Sequence, residues 1–317
     1  MDSIKRRFGG SSRFMDRVKK INFINVLVYI ALALISYQFL YPLLRMLTLS
    51  FMGVTDLLNP AVNWVPRNWS LSNMRAALRV MNLTTTMLNS MRFAGTLALS
   101  QTLVSALTGY ALARFDVRFK QFWFMLIIIT FILPVPVLLI PRIIMLVTFA
   151  EMTGITLLGT MWPQTLLAML GQGMFSAILI LIFYNFTRMI PPALDEAASI
   201  DGASALQVFY HIILKLSVTT LLVIFLLSFV WNWNETYITG VFMRGAMDLV
   251  TTRLEDFNSL FGQFAGEFVE ADLEEVRLNE AYRMAGTLVS ITPLFVLYLI
   301  VQRQFIKGIE NTGLTGL

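Results

Sequence analysis

Side chains that carry covalent or metal chemistry are scarce in this sequence. Its 317 residues include no cysteine and a single histidine, His211. Disulfides, thiolate nucleophiles and Cys-ligated metals are therefore excluded, and neither a His-based metal site nor a catalytic triad can be built. His211 lies among Tyr210 and two isoleucines, which favours a hydrogen-bonded interfacial side chain. The sequence thus predicts no catalytic residue, no metal site and no cofactor.

A phosphate loop of the form Gly-x-x-x-x-Gly-Lys-[Ser/Thr] is also missing from the sequence. The chain therefore has no such device for holding a nucleoside triphosphate. Acidic residues within the long apolar segments are few, so a proton or sodium relay is not indicated either. Any work done by the protein is expected to draw its energy from a partner.

The most distinctive polar segment, residues 191–207, opens like a helix. Two prolines suit the first helical turn, where a missing N–H costs little. Two acidic residues then favour the positive end of the helix dipole, and two alanines continue the helix. These acidic residues and alanines are Asp195, Glu196, Ala197 and Ala198.

The same segment then turns. Asp201-Gly202 ends the first helix, because glycine tolerates left-handed dihedral angles. Ser204 can cap a second short helix that leads into the next apolar segment. The pattern predicts a helix–turn–helix whose small-residue surface another protein could approach closely.

A second group of polar and aromatic residues lies within or beside the long apolar segments. Polar side chains at membrane depth are costly unless they are paired or face water. They therefore either hydrogen-bond neighbouring helices or line a path for a polar substrate, and the sequence leaves both interpretations open. The group consists of Gln101, Tyr184, Asn185, Trp231, Asn232, Trp233 and Asn234.

The elements that position these residues are apolar segments long enough to cross a membrane. The chain is 57% hydrophobic and 14% charged, with a mean hydropathy of +0.70, whereas an ordinary soluble domain carries about 25% charged residues. A hydrocarbon core about 30 Å thick needs roughly 20 apolar residues per helix. Six segments without lysine or arginine in their central stretches are predicted as spans: 24–47, 91–113, 122–140, 162–186, 210–231 and 284–301. The fold class is therefore an all-α membrane protein with six transmembrane helices.

The first and third of these spans carry further expectations. The first is longer than the roughly 7–15-residue apolar region of a signal peptide and is expected to remain in the protein. The third contains Pro134, Pro136 and Pro141. Each proline removes a backbone donor and kinks a helix, so the freed carbonyls need protein or water partners. We expect this helix in the interior, either as a packing helix or as part of a pathway.

The charges between the spans predict the orientation. The loop between the fifth and sixth spans is acidic, whereas basic residues gather before the first span, between the second and third, and after the sixth. Cytoplasmic loops carry an excess of lysine and arginine, so both termini are expected in the cytoplasm. The net charge of +5 and pI near 9.6 thus reflect membrane orientation and not nucleic-acid binding. The basic residues are Lys5, Arg6, Arg7, Arg13, Arg17, Lys19, Lys20, Arg114, Arg118, Lys120, Arg303 and Lys307.

The motif spacing around the helix–turn–helix is specific. Glu196-Ala197-Ala198 is followed after three residues by Gly202 and after nine more by Ile212-Ile213-Leu214. This spacing resembles the EAA-loop signature of binding-protein-dependent ABC importer permeases, and the flanks are similar to the carbohydrate-type subgroup. The resemblance covers nearly the whole chain through Asn89-Ser90, Gly109-Tyr110-Ala111, Arg114-Phe115, Trp231-Asn232 and residues 302–308.

The resemblance implies a type I ABC importer permease fold, similar to a maltose-type inner-membrane subunit, with a cytoplasmic coupling helix at about 191–207. ATPase coupling would then involve Asp195, Glu196, Ala197, Ala198, Asp201 and Gly202. The implied organisation is a basic cytoplasmic segment at 1–23, a first transmembrane helix at 24–47, an extracytoplasmic loop at 48–88, a five-helix transmembrane domain at 89–303 and a cytoplasmic tail at 304–317.

The implied function is transport and not catalysis. The chain would form the translocation path for a sugar or oligosaccharide delivered by an extracytoplasmic solute-binding protein, in the bacterial cytoplasmic membrane. Its partners would be a second homologous permease subunit, two cytoplasmic ATP-binding subunits and membrane lipid. The resemblance implies no particular sugar and is compatible with a homodimer or a heterodimer of permeases.

The sequence also departs from the family pattern. Lys215 stands where the signature usually ends in proline, and the chain ends in Leu314-Thr315-Gly316-Leu317 and not in basic residues. Three other functions compete with the implied one: a secondary carrier working alone, a membrane-embedded enzyme and a six-span channel subunit. The scarcity of intramembrane carboxylates, the single histidine and the lack of a filter-like re-entrant segment argue against them in turn.

Overall fold

The computed structural model describes residues 23–268 and 275–313. Within these ranges the protein consists of helices joined by turns and loops, and its extended pairing is an isolated antiparallel bridge between Met52 and Trp69. This all-α architecture agrees with the prediction from composition. Three predicted features lie outside the described residues: most of the basic segment 1–23, the acidic residues within 269–274, and the end of the tail at 314–317.

The helices follow one another with short connections. The first seven are α1 (Phe23–Phe51), α2 (Val54–Leu58), α3 (Ser72–Val80), α4 (Leu83–Arg114), α5 (Lys120–Ile132), α6 (Val135–Thr153) and α7 (Trp162–Met169). The next four are α8 (Ser176–Met189), α9 (Ala193–Ile200), α10 (Ala205–Leu216), which includes a π-helical turn at Phe209–Ile213, and α11 (Val218–Asn234). The last four are α12 (Tyr237–Met243), α13 (Val250–Glu255), α14 (Phe257–Phe268) and α15 (Glu275–Gly313).

The 32-residue helix α4 is the central element. It packs along α8 and along α11, and it buries serine, threonine and glutamine side chains between them. Gly109 permits the close approach to α8: a Cβ added there would lie 2.9 Å from the Tyr184 nitrogen and 3.0 Å from the Ile180 carbonyl oxygen. The helix that carries Gln101 is therefore held on two sides.

The two largest of four apolar clusters fill most of the interior of the described chain. One lies where α1, α3, α4, α11 and α15 meet, and it includes Met52, Met81 and Trp233. The other joins α4, α8, α10 and α11 through residues such as Phe183 and Ile224. Many large apolar side chains point outward instead, including those along α1. Such exposed apolar surface fits a lipid environment or a membrane partner.

Three helices of the described chain are long and apolar enough to span a membrane: α1 over Asn25–Phe51, α6, and α15 over Glu280–Gln302. Two bent pairs add up to two more, α8 with α9 at 74° and α10 with α11 at 80°. The described residues thus contain three to five candidate spans by length and composition, which makes the protein a multi-pass membrane protein.

The predicted third span, 122–140, is wrong as a single helix. α5 ends at Ile132, Leu133 and Pro134 are extended, and α6 begins at Val135 and continues to Thr153. The residue before a proline avoids the helical conformation, whereas a proline in the first turn of a new helix costs little. The helix therefore breaks and restarts where a kink was expected.

The expected interior position of this segment is also wrong for the chain by itself. α5 has no buried side chain, and α6 buries only Leu139 and Leu146. The remaining side chains of both helices are mostly apolar and face away from the other described helices, so α5 and α6 present an apolar outer surface.

The predicted fourth and fifth spans are interrupted too. Between α7 and α8 the chain turns through Gly171 and Phe175, both with positive φ, so 162–186 is not one helix. The span 210–231 bends by 80° at Ser217, whose hydroxyl donates to the Ile213 carbonyl at 2.6 Å. A serine that bonds back to its own helix favours such bends. The helix thus bends at Ser217 although Lys215 stands where the family signature usually has a proline.

The connection between α1 and α3 is organised by Asp56, which is 3% exposed. Asp56 Oδ2 accepts hydrogen bonds from the backbone N–H groups of Asn68 at 2.6 Å and Arg67 at 2.7 Å, and Oδ1 accepts one from Asn68 Nδ2 at 3.1 Å. The hydrogen bond from the Asn68 backbone is the largest influence that lowers the pKa of Asp56 below its usual value, and burial partly opposes it.

Candidate functional site

Residues 191–207 form the predicted pair of helices. α9 starts after Pro192 and leaves the axis of α8 at 74°. Gly202 then takes a left-handed conformation with φ +83°, which a side chain would strain. Ser204 caps α10: its Oγ accepts from the Gln207 N–H at 3.4 Å, and its own N–H donates to Gln207 Oε1 at 2.7 Å. The turn is therefore set by local chemistry.

Arg114, the last residue of α4, anchors this helix pair. Its Nε lies 2.6 Å from Asp195 Oδ2, and its Nη2 donates to the Ile190 carbonyl at 2.7 Å. The two charged side chains are 11% and 18% exposed, so water screens their attraction only weakly. α9 is thus tied to the end of α4. The sequence analysis noted Arg114 only as part of a motif and as a basic loop residue, because its partner is remote in the chain.

The helix pair turns a mixed surface away from the protein. Ile200 is 86% exposed and Leu206 is 73% exposed. Smaller or charged exposed residues surround them. A partner protein could therefore bury the two large apolar side chains and approach the backbone closely at the small residues. We define the outer face as Leu194, Glu196, Ala197, Ile200, Gly202 and Leu206, all exposed. Contiguous exposed apolar residues rimmed by polar ones mark protein interaction sites.

Gln101 lies at the centre of a buried polar network. Its Nε2 donates to the Met174 carbonyl at 2.8 Å and to Ser176 Oγ at 2.9 Å. Its Oε1 accepts from Asn232 Nδ2 at 2.7 Å and from the Ser228 hydroxyl. Gln101 is 1% exposed and Asn232 is 6% exposed. The network joins α4, the start of α8 and α11, which is the helix-linking role that the sequence left open beside a path role.

The two tryptophans predicted near this site have different surroundings. Trp233 is buried and stacks on Phe229, with ring centroids 5.6 Å apart. Trp231 is half-buried and meets Phe175 edge to face at 4.9 Å. Trp233 therefore belongs to the core, whereas Trp231 lies beside the turn that precedes α8.

The remaining predicted path residues do not join the network. Tyr184 meets Phe124 edge to face at 4.6 Å, on the α5 side of α8. Asn185 is exposed, and so is Asn234, whose amide donates to the carbonyl of Val230 in its own helix at 2.9 Å. The seven residues predicted from sequence are therefore dispersed over at least three environments.

The sequence analysis missed Arg142, Gln164 and Glu235. Arg142 follows the predicted third span directly, but α6 continues to Thr153 and places it near the middle of a candidate span. A cavity of about 90 Å³ lies beside it, and a smaller one of about 30 Å³ is lined by all three residues. The sequence did contain a signal for Arg142 within a span, because long apolar runs lie on both sides of it.

His211 and the acidic residues offer no metal site in the part of the chain that the structure describes, since no three of them come together. The exposed His211 ring places Nδ1 3.1 Å from the Gln207 carbonyl, one turn earlier. The candidate site therefore consists of the exposed outer face of the helix pair, a buried polar network around Gln101 and a cavity beside Arg142.

Comparison with known families shows a match over residues 101–311 to the family described as binding-protein-dependent transport system inner membrane component. One similar protein is the sn-glycerol-3-phosphate transport system permease protein UgpE of Shigella flexneri serotype 5b (strain 8401), 30% identical over 226 residues, or 71% of this chain and 72% of the relative. UgpE of Escherichia coli O1:K1 / APEC is 29% identical with the same coverage.

A solved structure has a similar fold. It is the crystal structure of a bacterial ABC transporter involved in the import of the acidic polysaccharide alginate. One of its chains matches with a TM-score of 0.71 and covers 92% of this chain and 98% of its own length, at 19% sequence identity. The likeness shows a shared fold.

Proposed function

Because the chain belongs to the family of inner membrane components of binding-protein-dependent transport systems, we propose that it is the permease subunit of an ATP-driven ABC importer. It forms the translocation path for a sugar or oligosaccharide delivered by an extracytoplasmic solute-binding protein. A second homologous permease completes the path. Two cytoplasmic ATP-binding subunits hydrolyse the ATP.

The observation that carries this proposal is the outer face of the helix pair α9–α10. Its exposed Ile200 and Leu206 suit insertion into a cleft of an ATP-binding subunit. The ion pair between Arg114 and Asp195 ties this surface to α4. Since α4 also holds α8 and α11, a displacement of the docked helices moves the centre of the bundle. The pair α9–α10 is therefore assigned the role of coupling helix.

The proposed topology has six crossings: α1, α4, α5 with α6, α8, α11 and α15. Both termini lie in the cytoplasm, and the segments 1–23, 24–47, 48–88, 89–303 and 304–317 keep the locations expected from the sequence. Two cation–π contacts to the Tyr184 ring support the placement of two connections, the one after α4 and the one after α8, on the same cytoplasmic side. Lys120 and Arg188 both lie over the Tyr184 ring, at 5.8 and 5.7 Å. These cations lie on the same side as Arg114, as the positive-inside rule requires.

The substrate class rests on the relatives and on the chemistry of the cavity region. One relative is named for sn-glycerol 3-phosphate transport, and the structural neighbour for import of a polysaccharide. Trp231 contacts Phe175, which lines the 90 Å³ cavity together with polar residues such as Arg142, and an aromatic ring beside hydrogen-bonding groups suits a sugar. We assign Trp231 to the path. For Gln101 and Asn232, linking the helices is the primary role.

Replacement of Gly202 by valine tests the coupling role. Gly202 has φ +83° and open space around its Cα, so the variant strains only the backbone, by about 1–3 kcal/mol. We expect normal insertion and loss of substrate uptake, with ATP hydrolysis no longer stimulated by the binding protein. Gly154→Val is the matched control, because Gly154 also has positive φ and open space but lies at the end of α6.

Replacement of Glu196 by lysine tests the same surface by charge. Glu196 is exposed on α9, so the change should leave folding intact while it repels basic side chains in the docking cleft. Co-purification of the ATP-binding subunits should fall.

For the glycine variants, normal uptake by Gly202→Val, with Gly154→Val equally normal, would count heavily against the coupling role.

A further inference from the structure

One guanidinium group, that of Arg142, lies in the apolar stretch 135–147 of helix α6, well before the exposed Glu151 near its end. Arg142 is half-buried near the middle of this candidate span. Within the described residues no carboxylate lies within ion-pair distance of it. An unpaired ionisable side chain at membrane depth is costly and marks a functional site by default.

The hydrogen bonds of Arg142 leave most of its donors available. Only Nη2 has partners, the Gln172 carbonyl oxygen at 3.3 Å and Gln172 Oε1 at 3.4 Å. Both distances exceed the usual 2.7–3.2 Å or so for N–H···O bonds. A guanidinium has about five N–H donors, and its planar fork matches the oxygens of a carboxylate or phosphate. Arg142 is therefore free to bind an anion.

The cavity beside Arg142 has about 90 Å³. Thr130, Gln172 and Ser176 are the polar residues that line it beside Arg142, and none of the described aspartates or glutamates lines it. A cavity of this size holds several waters, so it has room for a phosphate or carboxylate group.

A carboxylate does line the smaller adjoining cavity, namely that of Glu235. Its oxygens accept from the Ile238 N–H at 2.6 Å, the Thr239 N–H at 2.8 Å and the Thr239 hydroxyl at 2.7 Å. Both oxygens of this carboxylate are therefore hydrogen-bonded to the start of α12. It does not neutralise Arg142 by direct contact.

Two helix starts add to the positive potential of the larger cavity. Val135 opens α6, Ser176 opens the 14-residue α8, and both line the cavity. Neither helix has a side-chain cap, and helix starts carry partial positive charge. Ser176 Oγ already accepts from Gln101 Nε2, so its own proton remains for donation. Broken helices in transporters place such starts against anionic substrate groups.

We propose that this cavity binds the anionic group, phosphate or carboxylate, of a transported sugar or polyol derivative, with Arg142 as the principal contact. The inference rests on the proposed transport function. It narrows the substrate class from sugars and oligosaccharides in general to derivatives that carry an anionic group. The Ser176 hydroxyl completes the donor set.

The test uses the complete transporter, purified with its co-purifying subunits and reconstituted in proteoliposomes. ATP-dependent uptake is measured for sn-glycerol 3-phosphate, an alginate oligosaccharide and maltose, which represent phosphate, carboxylate and neutral substrates. We expect uptake of at least one anionic compound. Arg142→Gln should reduce that uptake about tenfold or more, and Arg142→Lys, which keeps the charge but not the planar fork, should lose less than Arg142→Gln. Glu151→Gln, an exposed charge change in the same helix, is the matched control.

A chemical readout separates charge from packing. Because the chain has no cysteine, Arg142→Cys can be modified selectively within it. Reaction with 2-aminoethyl methanethiosulfonate restores a cation and should restore anion uptake, whereas methyl methanethiosulfonate should not. The transporter with unmodified Arg142, treated in parallel, controls for cysteines of the partner subunits.

The outcomes distinguish the two proposals. ATP-driven uptake of maltose alone, unchanged in Arg142→Gln, would overturn the anion site and leave the transport function intact. Equal rescue by both reagents would overturn the role of charge. Absence of ATP-dependent uptake for all three compounds would count against the transport function, and the anion site would fall with it.

Discussion

Gln101 shows how a single side chain can link helices within the membrane region. Both atoms of its amide group are used, and the partners come from the turn before α8, from α8 itself and from α11. Removal of the amide would take these bonds away from the Met174 carbonyl and the Ser176 hydroxyl. Asn232 Nδ2, by contrast, would keep its bond to the Ser228 carbonyl at 2.8 Å. An unsatisfied buried polar group costs about 1–3 kcal/mol, so the network stabilises the bundle chiefly by being complete.

Replacement of Gln101 by leucine is therefore expected to destabilise the protein by about 1–3 kcal/mol for each partner left unsatisfied. Asn232→Leu should act in the same direction but less, since Ser228 keeps its bond to Gln101. Thermal unfolding of the purified transporter measures the effect, with uptake and ATP hydrolysis normalised to abundance. Asn234→Leu is the control, because its exposed amide bonds only within its own helix.

The result also decides between the two roles of Gln101. If it links helices, uptake and binding-protein-stimulated ATP hydrolysis fall together with protein abundance. If Gln101→Leu is as stable as the unchanged protein and loses uptake while ATP hydrolysis persists, Gln101 lines the path.

At the scale of elements, two further contacts bind the central helix α4 to its neighbours, namely the ion pair at its end and the close packing at Gly109. The ion pair between Arg114 and Asp195 is shielded, and Arg114 also bonds the Ile190 carbonyl. Breaking a shielded pair costs more than breaking an exposed one, because it leaves a charge poorly solvated. The connection between α4 and α9 should therefore depend on both partners.

A double-mutant cycle on Arg114→Gln and Asp195→Asn tests this connection. Each single variant should lower uptake about tenfold, and the double variant should be no worse than either, because both remove one shared interaction. Initial uptake rates in proteoliposomes are the measurement. Arg253→Gln, which breaks the more exposed pair with Asp248, should have little effect. Multiplicative losses in the double variant would show that the two residues act independently.

Gly109 tests the packing of α4 on α8. A Cβ there would lie 2.9–3.1 Å from the Tyr184 nitrogen, the Ile180 carbonyl oxygen and the Phe183 Cβ, two of which are backbone atoms that cannot swing away. Gly109→Ala should lower stability by about 1–3 kcal/mol. Gly95→Ala in the same helix meets nothing within 4 Å and should be neutral or stabilising. Equal melting temperatures for the two variants would contradict the close approach.

At the scale of the whole molecule, the proposed topology places the outer face in the cytoplasm and α14 outside. Single-cysteine labelling can test this directly, because the chain has no cysteine of its own. Ser259 is exposed on α14, and Ala205 is exposed beside the capping residue Ser204, whose own replacement would remove a helix cap.

In intact cells, a membrane-impermeant thiol reagent should label Ser259→Cys and spare Ala205→Cys. Permeabilised cells should label both positions, which controls for reactivity. Protection of Ser259→Cys with labelling of Ala205→Cys in intact cells would reverse the assigned orientation.

Local chemistry along the sequence determined the membrane character, the helical class and the helix–turn–helix at 191–207. These features depend on composition over about 20 residues, or on neighbours such as Ser204 and Gln207, which cap α10 without help from the rest of the fold. The family signature belongs with them, because its residues lie close together along the chain. Helix ends were less predictable, and the breaks after Ile132 and at Ser217 divided segments that hydropathy treats as continuous.

Only the tertiary structure decided which polar residues meet. Gln101 and Asn232 are far apart in sequence yet share a hydrogen bond, whereas Asn232 and Asn234 are near neighbours with different surroundings. The anchor of the helix pair and the cavity beside Arg142 likewise arise from helices that are remote along the chain. Hydropathy indicates whether a segment lies in lipid or in water. Helix packing determines which residue a buried polar side chain hydrogen-bonds.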